Sequence, residues 1–431
     1  MTRRHRRITG GPQPSAPAGV AVLDDDPPPR TETGRRFTLP ERIRRREWRE
    51  WKLTDWFAVA GVIGPLVTGL VVGGANIVQE RAAASEPVCG TQTDATQPGR
   101  VGSGYVLVDP DDAAERRPAV ARSCNSRDGQ NRVARTGPGR YQVHLERLGI
   151  DGGTVEITPV GPAIRVCGTS GWGMAAKSAD LVVHVVCSDE HGANRDSGFD
   201  LRFFQATADT GAMAYLRYEA GPEKAVLPDP NYAFNSFNTE MTVQREGTGA
   251  YRVFVQDMQQ AVPGAVKVTS YGNAPRICNP MLWHPWQNPG NGKRFLLSEV
   301  NCFDTGGRPA DSGFVLTYAA QPAAGPHSRV AGALLWANDP HAARYTPALD
   351  YQYNSTGRAS MIRRHGPGDY VVELSGFNGD SGHTQVSAYA GAANCATSQV
   401  DEGADDTARV RVRCWLRGLS ADTSFTLLYR A

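Results

Sequence analysis

Three short anchors recur in the same order, three times over, between about residue 103 and the last residue of the chain. The first is Asn-Ser, at Asn125-Ser126, Asn235-Ser236 and Asn354-Ser355. The second is R-x-G-[PT]-G-x-Y, running from Arg135 to Tyr141, from Arg245 to Tyr251 and from Arg364 to Tyr370, and the Asn-to-Tyr distance is sixteen residues in every copy. The third is a late Cys (Cys187, Cys302, Cys414) followed by Asp-[Ser/Thr]-x-Phe, which starts at Asp196, Asp311 and Asp422. A repeat of about 115 residues limits the fold to architectures assembled from copies of one supersecondary unit.

Inside each copy the apolar residues have period two. Tyr141, Val143 and Leu145 match Tyr251, Val253 and Val255, and Tyr370, Val372 and Leu374. Phe199, Leu201 and Phe203 have equivalents in Phe314, Leu316 and Tyr318, and in Phe425, Leu427 and Tyr429. Alternation with polar neighbours predicts half-buried strands. The G-[PT]-G segment predicts a hairpin turn, since glycine accepts the positive φ of a tight turn. A phosphate-binding loop is excluded, because the Lys-Ser/Thr and the following helix are missing.

About eight strands per repeat fit two all-β architectures. The favoured expectation is a six-bladed β-propeller with two blades per repeat; the alternative is three tandem β-sandwiches. The propeller is favoured because the strand at Gly104–Val108 precedes the first full copy, where it could close the last blade against the Phe-x-Leu strand that ends near residue 429. The expected segments are a cytosolic tail (1–55), a transmembrane helix (56–79), a stalk (80–102) and repeats at 103–210, 211–330 and 331–431.

The membrane expectation rests on Trp56–Gln79, twenty-four residues without a charged side chain. At about 1.5 Å per residue such a helix spans a hydrocarbon core of about 30 Å. Residues 1–55 carry thirteen Lys/Arg against eight Asp/Glu, so the positive-inside rule leaves the N-terminus in the cytoplasm and the repeats outside. Trp48, Trp51 and Trp56 suit the inner interface. Gly69 and Gly73 form a small-xxx-small pair that points to a homodimer contact. Ala82-Ala-Ala84 also fits a signal-peptidase site, and an uncleaved anchor is preferred because the preceding n-region would be abnormally long. Net charge is +2, which argues against nucleic acid as a partner.

All eight cysteines follow the span, as an oxidising compartment would favour. The repeat pairs Cys167 with Cys187, Cys278 with Cys302 and Cys395 with Cys414. Cys89 and Cys124 remain, predicting a fourth bridge that ties stalk to body; Cys124 stands where the other copies have Phe234 and Tyr353. Zinc is disfavoured, because no C-x-x-C or His at ligand spacing occurs.

The combination of R-x-G-x-G-x-Y-x-V, G-x-V-x-V and C…D-S-x-F-x-L-x-Y, from about residue 103 to 431, resembles a repeat found in secreted and surface proteins of actinobacteria. The resemblance implies a surface location and a β-repeat architecture, with no activity attached. The third copy departs from it: Trp172 and Trp283 follow the first Cys in copies one and two, whereas copy three reads ATSQV.

No nucleophile elbow, metalloprotease helix, calcium loop or dinucleotide fingerprint is present, and neither a cofactor nor a metal is expected. His184 alternates with valines and reads as a strand histidine. The recurring Asp196, Asp311 and Asp422 read as turn residues, each placed to pair with the arginine of its own copy (Arg135, Arg245, Arg364). Trp172, Trp283 and Trp286, in Gly/Pro-rich surroundings, are the binding candidates, with packing between units as their structural alternative. The resulting expectation is a membrane-anchored binding or scaffolding protein that contacts cell-wall glycan or a surface protein. A hydrolase or lyase with acidic residues in a propeller channel is the alternative.

Overall fold

The computed structural model describes residues 102–206, 212–259, 264–320, 331–377, 382–402 and 406–430. The tail, the expected span with Gly69 and Gly73, the stalk and Cys89 lie outside the described residues. Among the described residues no helix is long and apolar enough to cross a membrane.

The described chain is all-β. The first module contains β1 (Ser103–Val108), β2 (Val120–Asn125), β3 (Asn131–Gly137), β4 (Arg140–Leu145), β5 (Thr154–Val160), β6 (Val166–Met174), β7 (Leu181–Ser188) and β8 (Gly198–Phe204). Its pairings give one sheet in the order β2-β1-β8-β5 and a second in the order β3-β4-β7-β6. Val143 and Leu145 from the second sheet meet Phe199, Leu201 and Phe203 from the first in one apolar core. Two facing sheets around one core make a sandwich.

The second module repeats this with β9 (Met213–Tyr218), β10 (Ala225–Val226), β11 (Ala233–Asn235), β12 (Met241–Gly247), β13 (Ala250–Gln256), β14 (Gly264–Tyr271), β15 (Ile277–Gln287), β16 (Arg294–Phe303) and β17 (Gly313–Ala320). The third has β18 (Gly332–Ala337), β19 (Arg344–Tyr345), β20 (Gln352–Asn354), β21 (Ser360–Gly366), β22 (Asp369–Ser375), β23 (His383–Ala388), β24 (Asn394–Glu402), β25 (Thr407–Leu416), β26 (Leu419–Ser420) and β27 (Phe425–Arg430). Their inner sheets run β11-β9-β17-β14 and β20-β18-β27-β23, the order of β2-β1-β8-β5, and each module has its own core.

The favoured propeller is therefore corrected in favour of the sandwich alternative. β1 pairs with β2 and β8 of its own module, and β27 pairs with β18 and β23, so the first and last strands do not meet in one blade. The physical reason lies in the alternation: each Phe-x-Leu strand buries its apolar side against the Tyr-x-Val strands of the same copy.

The sandwiches are nevertheless closed into a ring. β5, β14 and β23, the inner-sheet edges, come together on a pseudo-threefold axis. Thr269 Oγ1 accepts the Ile157 N–H, Ser387 Oγ accepts the Val268 N–H and Thr158 Oγ1 accepts the Val386 N–H. A second cycle lies one turn further along the axis. Gly161 N–H donates to the Thr397 carbonyl, Gly272 N–H to Thr169 and Ala390 N–H to Pro280, each acceptor two residues after the first Cys of its copy.

Candidate functional site

Three places in this framework gather the residues singled out by the sequence. The first is a corner repeated in every module. Arg135 forks onto Asp196 at 2.8 and 2.9 Å, Arg245 onto Asp311 at 3.1 and 2.7 Å, and Arg364 onto Asp422 at 2.9 and 2.8 Å. Each carboxylate also accepts the N–H of Gly139, Gly249 or Gly368 and the hydroxyl of Tyr141, Tyr251 or Tyr370. That hydroxyl in turn accepts the N–H of Ser197, Ser312 or Thr423. Glycine is required at the turn: φ is +61° at Gly139, and a Cβ there would overlap the Cys187 carbonyl oxygen. The Arg364 fork, the Gly368 amide and the Tyr370 hydroxyl outweigh burial and hold Asp422 well below the usual carboxylate range; the matching set lowers Asp311 to about 2. A carboxylate with this many donors is a fixed acceptor, so the corner clamps hairpin to strand and leaves no free base.

Asn125, Asn235 and Asn354 are structural in the same sense. Each side-chain oxygen accepts the N–H two residues on, at Arg127, Phe237 and Thr356, and each following serine caps the first strand of its module. The disulfides Cys167–Cys187, Cys278–Cys302 and Cys395–Cys414 join neighbouring strands at the same register in each module. Cys124 is oxidised as well, but its expected partner Cys89 lies outside the described residues.

The second place is the set of seams between modules, which claims two of the three binding candidates. Trp172 is 6% exposed, donates from Nε1 to the Gly152 carbonyl and packs edge-on against Tyr232 and Tyr271 of the second module, with Arg217 near its face. Trp283 repeats this one module on, against Trp336 and Tyr389, and Trp336 packs on Tyr351. Both are pegs between sandwiches, so the reading of Trp172 and Trp283 as ligand-facing is corrected. Their strands bulge at Thr169/Gly171 and Pro280/Leu282, which sets the peg against Val183 and Ser298. In the third module Val400 stands at this register, opposite Val410.

The seam between the third and first modules is polar. Asp200 (3% exposed) accepts the Thr384 N–H at 2.7 Å and the Gln385 amide at 3.1 Å, and His383 (4%) lies 3.8 Å from it. Glu156 (2%) meets Arg202 at 3.4 Å. Inward acidic groups of the kind a channel hydrolase or lyase would carry are therefore present, but they are sealed from solvent by the strands that hold them. Nearby, the modules form a partly open pocket of about 30 Å³ lined by Ile157, Val268, Val386 and the three first cysteines. That volume suits water rather than a substrate.

The third place is the long β15–β16 hairpin. Trp286, Phe254 and Phe295 form a partly exposed aromatic triad, with ring centroids 5.4 to 5.8 Å apart. Gln256 binds Lys293 at 3.1 Å beside it, and His284, Gln287 and Arg294 are exposed along its rim. Of the three tryptophan candidates, Trp286 is the one that faces outward. Phe254 and Phe295 were not anticipated; the available signal was an aromatic at alternate positions where the other copies have His144 and Glu373 on the matching strand. Comparison with protein families, with curated proteins and with solved structures finds no match.

Proposed function

We propose that this is a membrane-anchored, extracytoplasmic binding and scaffolding protein that holds a cell-envelope glycan on the aromatic triad of its second module. The charge-free Trp56–Gln79 stretch and its basic flank support the anchor and the cytosolic N-terminus, and the resemblance to an actinobacterial surface repeat supports the location. Three bridged cysteine pairs support an oxidising location. The observation that carries the reading is the triad itself. Trp286, Phe254 and Phe295 offer apolar ring faces at the surface, flanked by the Gln256, Gln287, Lys293 and Arg294 donors that hydroxyl-rich ligands require. The Glu156–Asp200–His383 cluster does not favour hydrolysis, because no path brings a substrate to it.

The test is co-sedimentation of the full chain with purified, protease-treated cell-wall glycan. The expected result is saturable binding, weakened at least tenfold by Trp286→Ala. Unchanged binding by that variant overturns the site. Retention only by protein-containing wall, lost on protease treatment, overturns the glycan and leaves a surface protein as the ligand.

A further inference from the structure

The three seams of the ring look equivalent in backbone bonding, yet they differ in chemistry and in tethering. The first and second modules are joined by the chain between β8 and β9, and the second and third by the chain between β17 and β18. No chain segment joins the third module to the first. The two tethered seams are pegged by Trp172 and Trp283 and hold apolar patches, and the second also carries polar bonds, from Lys267 Nζ to the Thr426 carbonyl and from the Asn279 amide to the Gly391 and Ala393 carbonyls. Phe204 meets Met213, Tyr215 and Ala319 in one, and Ala265 meets Leu334 and Leu428 in the other. At the corresponding positions the untethered seam stacks His383 on Tyr105, 4.6 Å between centroids, and places Arg430 where the other modules have Phe204 and Ala319.

We infer that the ring opens at the seam between the third and first modules, and that Asp200 and His383 form a proton-exchanging latch there. Opening elsewhere pulls a tryptophan peg and an apolar patch away from a module that stays tethered, so the two sides reclose at high effective concentration. Opening here releases polar groups to water and meets no tether. The latch is surrounded by charged or titratable groups on every strand packed against it. These are Tyr105 on β1, Arg122 on β2, Glu156 on β5, Arg202 on β8 and Arg430 on β27, with Lys267 on β14 acting on Glu156.

The protonation states follow from burial. Burial lifts Asp200 to about 7, against the pull of the Thr384 amide, Arg122 and Gln385, with Glu156 adding to the rise. Burial, then Arg202 and Arg430, pushes His383 far below its ordinary value. In the range just below pH 6.5 the closed seam therefore holds Asp200 protonated and His383 neutral, where both side chains would be charged in water. On opening in that range, Asp200 releases a proton to solvent and His383 takes one up. The raised carboxyl alone would stabilise closure at low pH and lose that as pH rises towards 7. The lowered histidine alone would stabilise closure above 6.5 and lose that as pH falls. Together they cancel, which leaves closure insensitive to pH across the window.

Seven amides that cross the seams report this by hydrogen exchange of the full chain in lipid nanodiscs. Those of Gly161, Thr384 and Val386 cross the untethered seam; those of Ile157, Val268, Gly272 and Ala390 cross the others. The first three should exchange at least tenfold faster after correction for intrinsic rates, with protection flat from pH 5 to 6.5. Asp200→Asn should make their protection fall as pH drops from 6.5 to 5. His383→Ala, which carries the second module's residue, should make it fall as pH rises from 5 to 7. If His383→Ala does not fold, the slope of Asp200→Asn decides alone. Equal exchange at all seven amides overturns the joint, and a flat profile in Asp200→Asn overturns the latch.

Discussion

The inner and outer faces of the second sheets follow opposite rules. Facing the cores, the three modules are close to interchangeable: Tyr141, Tyr251 and Tyr370 are buried at one register, as are Val143, Val253 and Val372. Facing solvent, the same strands carry different chemistry. The residue three past the tyrosine is His144 in the first module, Phe254 in the second and Glu373, paired with Arg409, in the third. The third module extends its pair into a charged lattice, where Arg411 forks onto Asp369 at 2.9 and 2.6 Å. Whatever all three copies share is what a sandwich and a ring need, and whatever distinguishes them is available for recognition.

The largest expected effect falls on the seams, where the first two modules carry a tryptophan peg that the third lacks. Trp172→Ala removes a buried indole, orphans the Gly152 carbonyl and frees Arg217, Tyr232 and Tyr271. It should cost about 3–5 kcal/mol in denaturant unfolding. Trp283→Ala, at a half-buried peg, should cost about half as much. A loss under about 1 kcal/mol for Trp172→Ala would mean that the pegs are surface residues after all, and would erase the distinction between faces.

The corners come next. Asp422→Asn should destabilise by about 2–3 kcal/mol, since it removes the negative charge and one of the two oxygens that the Arg364 fork holds. Asp311→Asn should cost about 1 kcal/mol, because that carboxylate is 42% exposed and solvent screens the pair. Both aspartates are lowered in the folded chain, so their contribution is present above about pH 4 and is lost as pH falls through the folded value. For Asp311 that loss runs down to about 2. Unfolding measured from pH 5 to pH 2 should therefore flatten in Asp422→Asn more than in Asp311→Asn. Equal flattening would contradict the difference in exposure between the two corners.

Much of this was legible in sequence because it repeats. Asn125, Arg135 and Tyr141 each have two counterparts at identical spacing, and Cys167 and Asp196 have counterparts in the same order, so each marks a matched place in the fold. Strand alternation likewise located the cores. Closure of the ring was not legible, because it rests on backbone amides and on Thr158, Thr269 and Ser387, small hydroxyl residues whose spacing carries no signal. For the same reason the strand at Ser103–Val108 suggested a propeller: its partner β8 lies about ninety residues away in its own copy, a distance that period-two patterning does not encode. Trp172 and Trp283 misled because glycine-rich surroundings resemble an exposed loop, whereas here Gly168 lets the strand approach Ser270 of the neighbouring module and Gly171 sits at the bulge.

The smallest expected effect on stability belongs to the outer face, and it is the sharpest test of the comparison. Phe254→His writes the first module's outward residue into the second. Phe254 is half-buried and stands outside the second module's core, so the free energy of unfolding should shift by about 1 kcal/mol or less. The triad, however, loses the ring that Trp286 and Phe295 both pack on. Binding to wall glycan should fall with stability unchanged, a separation that no peg or corner substitution can produce. If the variant binds normally, recognition does not use the face on which the modules differ, and the outward divergence of the three copies is drift in sheet surface rather than a site.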